Sequence, residues 1–349
     1  MKAARLNAIL EGFRSARLAI VGDFCLDRYL EIDPSLNEKS IETKKTVYNV
    51  VSVRSQPGGA GTILNNLSAL GVQTILPIGF CGQDGEGYEL RRALAQTRGV
   101  DTSGFIDTSS RRTFTYCKPL LMWKDSAPEE LHRLDSKNWS RTPETVEKLL
   151  VTQLLHAAKR CSGIVVMDQV DIPGTGVVTR KVLDHISAVQ SANQDLPIIS
   201  DSRSGLNKFP RTCFKMNLAE LVKLTGKTFR TVDKAREAVS AMAIKNKKHV
   251  FVTMASKGAI GASPNGETCH HPGFKITPPF DVVGAGDSVT ALLIIAMSVS
   301  ASLEEMLELA MMGAAIVLKK LGTTGTVSQA ELLRFNRSNQ PLSTARQSE

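Results

Sequence analysis

Short apolar runs recur along the chain, separated by amphipathic stretches. The runs at 18–21, 74–80, 163–167, 196–199 and 250–254 have strand length and are rich in Val, Ile and Leu. Between them, 61–70, 87–96, 143–159, 176–189 and 232–245 space apolar residues three and four apart, often after a proline or a capping side chain. This rhythm predicts a doubly wound α/β fold around a mostly parallel sheet. Asp23, Asp168, Asp201 and Thr253 close apolar runs at their carboxyl side, where open parallel sheets bind ligands; Asp and Thr also cap helices there for local reasons. Two stretches break the rhythm. Residues 29–53 and 112–121 are rich in Thr, Val and Tyr or alternate in polarity, and predict hairpin strands outside the main sheet, a small β lid. The expected organisation is one domain over 1–335 followed by a polar, disordered tail at 336–349.

With 349 residues and 42% hydrophobic content, the chain can bury a large core. No apolar run reaches the roughly 18–20 residues of a membrane span, and the first 17 residues lack a signal-peptide apolar region, so the cytoplasm is the expected location. Cys25, Cys81, Cys117, Cys161, Cys213 and Cys269 stand singly, without zinc spacing, and read as reduced thiols. His270 and His271 precede Pro272 and Gly273 and read as a solvated loop. The formal charge of +9 suits nucleotides and sugar phosphates. A dedicated nucleic-acid surface is not expected: the densest basic cluster, Lys245-Asn246-Lys247-Lys248, lies at a predicted helix end, where cations complement the dipole, and no aromatic residues interleave with it.

The most informative segment is Asp281-Val282-Val283-Gly284-Ala285-Gly286-Asp287, a glycine-kinked turn running into an apolar helix. At a helix start the first amides lack intrahelical partners, the dipole favours an anion, and glycine permits close approach. Gly284, Ala285 and Gly286 are therefore a candidate phosphate hole, with Asp287 placed to take a proton from an attacking hydroxyl. An ordinary turn with a capping Asp is the local alternative. The helix from 289 to 299 is apolar almost all round, which predicts a buried element whose amino end is fixed. Competing phosphate motifs fail: Gly82-Gln83-Asp84-Gly85-Glu86-Gly87 has the wrong glycine order and two acids, and Gly226-Lys227-Thr228 lacks the leading glycine, with Leu221 in its place. Gln56-Pro57-Gly58-Gly59-Ala60-Gly61 is a second backbone-rich turn before a helix.

Gly22-Asp23-Phe24-Cys25-Leu26-Asp27-Arg28-Tyr29, Pro57-Gly58-Gly59-Ala60, Met216-Asn217-Leu218-Ala219-Glu220, Val252-Thr253-Met254-Ala255-Ser256-Lys257-Gly258 and the 281–287 run, in that order, resemble the PfkB (ribokinase-like) sugar kinases. The similarity spans 17–333 and is nearest to their heptose-7-phosphate kinases, which occur as halves of bifunctional enzymes; no nucleotidyltransferase half follows here. The resemblance implies ATP as phosphoryl donor, Asp287 as base and Gly284, Ala285 and Gly286 as anion hole. It implies that Asn217 and Glu220 face Mg²⁺ and phosphates, Glu220 through water. Thr253, Ser256 and Gly258 would line the nucleotide, Asp23, Asp27, Gly58 and Gly59 would bind sugar hydroxyls, and Arg28 would meet a substrate phosphate, with a surface salt bridge as the alternative for Arg28 and Glu220. Dependence on a monovalent cation stays open, and a homodimer through exposed lid edges is compatible with this reading.

Three departures bear on the acceptor. Thr62 stands where the family has Asn, Val283 where near relatives have Thr, and Asp201-Ser202-Arg203 where they have Asp-Pro-Lys. A heptose-7-phosphate-like acceptor leads; ribose, fructose or a nucleoside, and a catalytically silent sugar or nucleotide sensor, are the alternatives.

Overall fold

The computed structural model describes residues 1–322 and 324–339. The strands that position the site are β1 (Arg17–Gly22), β2 (Phe24–Ile32), β3 (Val50–Gly59), β4 (Thr74–Ile78), β5 (Thr115–Leu121), β6 (Gly163–Asp168), β7 (Ile198–Ser202), β8 (Cys213–Asn217), β9 (Val250–Thr253), β10 (Ala259–Ala262) and β11 (Thr268–His271). An eight-stranded sheet runs in the order β11-β10-β9-β8-β7-β6-β1-β4. Pairing is parallel from β9 to β4 and antiparallel at the β9–β10 and β10–β11 joins.

Period-two alternation decides the layers. Leu18 and Ile20 of β1, with Val165 and Met167 of β6, join a core against the helices Ala60–Ala69, Ala285–Ser298 and Leu303–Val317. Their neighbours Ala19, Val21, Ile164 and Val166 pack on the opposite face against Glu144–Ala158 and Arg180–Ala192. Burial on both faces is why these strands read as continuous apolar runs.

A second, five-stranded sheet forms the lid, with β2 at its centre between antiparallel β3 and parallel β5, and the short Glu129–Glu130 and Leu134–Ser136 strands on β5. It is larger than the sequence predicts. β2 begins at Phe24 and β3 continues to Gly59, so the glycine pair ends a strand and is not a free turn.

Other expectations need correction. His270 and His271 belong to β11, paired with Ile260 and Ala259, and not to a loop. The helix expected from 176 starts at Arg180, where Thr179 Oγ1 accepts from the Val182 amide; residue 177 is instead tied to Asp23. The expected tail begins inside a helix, Gln329–Asn339, whose Asn336 is buried and donates to the Met1 carbonyl, while 340–349 lie outside the described residues. Among the described residues, no helix is long and apolar enough to cross a membrane.

Candidate active site

The helix Ala285–Ser298 is buried from Ser288 through Ala296, so its amino end is held against the sheet. Gly284 caps it with φ +79°, a left-handed conformation that favours glycine; a Cβ there would come within 2.8 Å of Thr324 Cγ2. The Val283 amide is engaged by Asp281 Oδ1 at 3.0 Å, and the Ala285 amide reaches the Val282 carbonyl only at 3.4 Å. The Gly284 and Gly286 amides have no hydrogen-bond partner among the described residues. Two of the three predicted amides are thus free to meet an anion, and the third is loosely held. Asp287 follows in the first turn. Burial, with Asp201 and Asp27 nearby, pushes its pKa up to about 7 against the pull of Lys215 and Arg203.

Behind this turn lies a buried polar group. Lys215 projects from β8, and its Nζ is 2.7 Å from Asp201 Oδ2, at the end of β7; each side chain is 8% exposed. The Thr290 hydroxyl donates to the same oxygen at 3.0 Å. A Cβ on Gly286 would stand 3.3 Å from Lys215 Nζ, which places the ammonium against the phosphate turn. Burial works against the Lys215 charge, yet Asp201 outweighs it and raises the pKa above the usual lysine value.

In front of Gly286 opens a cavity of about 620 Å³. Its polar end carries Lys215, Asn217, Thr253, Ser256, Gly258, Ala285 and Gly286. Its walls are apolar, with Phe274, Phe280, Val282, Val289, Met311 and Leu318 among them. Phe280 and Val282 are exposed, an uncovered apolar mouth suited to a flat ring. Asn217 and Glu220 form a capping box: Asn217 Oδ1 accepts from the Glu220 amide at 2.9 Å and Glu220 Oε2 accepts from the Asn217 amide at 2.7 Å. Neither the salt bridge considered for Glu220 nor a free carboxylate is what the fold builds. One Glu220 oxygen and the Asn217 side-chain amide nitrogen stay available, and burial raises the Glu220 pKa.

The proposed sugar ligands divide into two groups. Asp27 is buried and lies close enough to Asp287 to raise its pKa, and its side chain makes no hydrogen bond among the described residues. Gly58 is required beside it, since a Cβ would come within 2.5 Å of Asp27 Oδ2. Gly59, at φ +58°, packs on the Asp23 carbonyl. Asp23 is engaged within the fold: its oxygens accept from the Gln169 and Val177 amides at 2.9 and 2.6 Å, so it ties β1 to the loop after β6. Burial, reinforced by Asp168, pushes its pKa up to about 7. For Arg28 the structure has the salt-bridge alternative. Alternation along β2 turns it away from the face of Asp27, and it pairs with Glu89 at 2.9 Å and Glu86 at 3.8 Å.

Cations do reach the Asp27 face, from elsewhere: Lys118 on β5, Arg133 and Arg203 all lower the Asp27 pKa against burial, which raises it. Arg203 is exposed and forms no ion pair among the described residues. The sequence reading missed Lys118, Arg133, Lys215 and Thr290, and placed Asp201 only at the carboxyl end of a strand where a ligand cleft was expected. A charged residue inside the apolar run of β8 was the available signal for Lys215. Nothing local marks the others, which depend on how distant strands meet.

The family model described as "pfkB family carbohydrate kinase" matches residues 164–330. The bifunctional protein HldE of Desulfatibacillum aliphaticivorans is 28% identical over 329 residues, covering 92% of this chain and 63% of that protein. The chain therefore spans less than two thirds of that bifunctional relative. An uncharacterized sugar kinase of Buchnera aphidicola subsp. Schizaphis graminum is 27% identical over 324 residues, covering 92% of this chain and 96% of that one. Among solved structures, Escherichia coli phosphofructokinase-2 in complex with substrates and products aligns with a TM-score of 0.71 at 19% identity, covering 93% of this chain and 99% of that chain, a likeness of fold.

Proposed function

We propose, from the premise that this chain carries a pfkB family carbohydrate kinase domain, that it transfers the γ-phosphoryl group of ATP to a hydroxyl of a sugar phosphate. The observation that carries this reading is the pair of unpaired amides at Gly284 and Gly286 in the turn before Asp287, with Ala285 and Gly286 lining the cavity. The acceptor oxygen attacks the γ-phosphorus while its proton passes to the Asp287 carboxylate. The bond from that phosphorus to the bridging oxygen breaks, and ADP leaves with the electron pair. Charge on the transferring oxygens meets the turn amides and the helix dipole.

ATP fits the cavity with its base between the apolar walls and its phosphates toward Gly286. Mg²⁺ fits the chemistry of the donor set in part: among the described residues no cluster of three acidic or His/Cys ligands exists, as suits an ion held mainly by phosphates and water, with Glu220 and Asn217 as its outer partners. When bound it neutralises phosphate charge. On the acceptor side Asp27 is the hydroxyl ligand, with Gly58 and Gly59 allowing a sugar to lie against main chain.

Arg203, with Lys118 and Arg133, supports a phosphorylated acceptor, of which heptose 7-phosphate is the leading candidate; Arg28 is replaced in that role. ADP release with heptose, hexose and pentose phosphates and their unphosphorylated sugars tests this. Arg203→Ala should raise the acceptor KM about tenfold, as loss of a charge-assisted contact does, and Arg28→Ala should leave it near wild type. Equal turnover of phosphorylated and free sugars would refute the acceptor class. The silent-sensor reading draws on Thr62, buried beside Gly284 without an amide to offer a sugar; sugar binding without turnover would favour it. Exposed Val50, Val51 and Val53 on the edge strand β3 support a homodimer through the lid, for sedimentation to test.

A further inference from the structure

We infer that Lys215 is a catalytic residue of this site, a fixed cation that hydrogen-bonds the transferring phosphoryl group while Asp201 and Thr290 hold it in place. The inference rests on the kinase reading of the same cavity and adds a residue to it. An ammonium has three N–H donors. Asp201 takes one at 2.7 Å, and no other acceptor is within reach among the described residues, although the side chain is only 8% exposed. A buried ammonium with unspent donors is costly unless something fills them. Asp287 and Glu220 lie near enough to add to the pull on its charge, but neither hydrogen-bonds it, and no acidic side chain lines the cavity. What the cavity does offer is the space in front of Gly286, whose amide has no partner among the described residues and whose added Cβ would stand 3.3 Å from Nζ.

The hold on Lys215 is rigid. Asp201 Oδ2 receives both the ammonium and the Thr290 hydroxyl, from the helix that begins at the phosphate turn, so cation and amides share one scaffold. Lysine here gives up no proton. Its charge stands beside the oxygens of the γ-phosphoryl group as the bond to ADP breaks and the bond to the acceptor forms, the place where a preorganised donor lowers the barrier most. An Asp201–Lys215 pair serving only the fold would have no reason to face a cavity.

Binding of AMP-PNP and of ADP in magnesium buffer, measured by calorimetry on the full chain, separates the two roles. Lys215→Met strips a partner from buried Asp201 and can unfold the protein, so Asp201→Asn/Lys215→Met, a neutral pair of similar volume, is measured beside it. In the folded variants AMP-PNP should weaken about tenfold or more, with ADP within twofold of wild type. Where an acceptor is turned over, kcat should fall about 100-fold with a small change in acceptor KM. Equal weakening of both nucleotides, unchanged AMP-PNP binding, or a wild-type chain without preference for AMP-PNP would overturn the assignment. A wild type that prefers AMP-PNP yet phosphorylates no acceptor would remove the kinase reading, and the nucleotide pair would still decide the Lys215 contact.

Discussion

Gly284→Ala perturbs the phosphate turn with a single methyl group. The residue sits at φ +79°, where an L side chain costs about 1–2 kcal/mol, and its Cβ would lie 2.8 Å from Thr324 Cγ2. Carbon atoms rest at about 3.5–4.0 Å, so turn and Thr324 must separate by roughly 1 Å. The Gly284 and Gly286 amides move with the turn. A displacement of that size at reacting groups can cost about 100-fold in rate. We expect kcat for acceptor-dependent ADP release to fall about 100-fold, with the nucleotide KM changed much less and thermal unfolding lowered by a few degrees. Gly226→Ala is the control: at φ +67° it carries a similar backbone cost, but nothing lies within 4 Å and it caps the helix Leu218–Thr225 at the end opposite Asn217. It should lose stability and keep activity. If both variants keep wild-type kcat, the amides do not hold the transferring group and the reasoning fails.

Further outcomes follow from the titratable groups. Asp287 has a pKa of about 7 and must be deprotonated to accept a proton, so kcat/KM should rise about tenfold per pH unit below pH 7 and level off above it; a flat profile from pH 5 to 8 would exclude it as base. The raised pKa values of Asp23 and Asp287 favour their protonated forms in the fold, a contribution complete below the ordinary carboxylate pKa and lost as pH rises through about 7. Asp287→Asn should therefore gain thermal stability relative to wild type at pH 8 and not at pH 4. Asp23→Ala leaves two buried amides without acceptors, a loss of about 2–6 kcal/mol at about 1–3 each. Its chemical denaturation midpoint should drop accordingly, and a midpoint near wild type would return Asp23 to the ligand-binding candidates.

The layered α/β architecture was legible because strands buried on both faces, such as Ile164 to Met167, stand out as apolar runs. β8 was not, since Lys215 interrupts it, and β10 and β11 were obscured by the small residues Ala259, Gly261 and Ala262 and by the histidine pair. At the site, Gly284, Ala285, Gly286 and Asp287 could be read because a helix amino end is a local feature. Arg28 and Asp27 could not be separated without knowing which side of β2 faces the cleft. The Asn217–Glu220 spacing was visible, but its capping geometry depends on where the helix starts. Lys215 and Asp201 are 14 residues apart on neighbouring strands, and only the sheet order brings them together.

Whether Asp287 primes an acceptor held in front of the Gly284–Gly286 amides is decided by single-turnover phosphoryl transfer from γ-labelled ATP with the preferred acceptor, comparing wild type with Asp287→Asn. Wild type should give labelled sugar product, and the variant a rate at least about 100-fold lower with nucleotide binding retained. Equal rates in the two proteins would contradict that role.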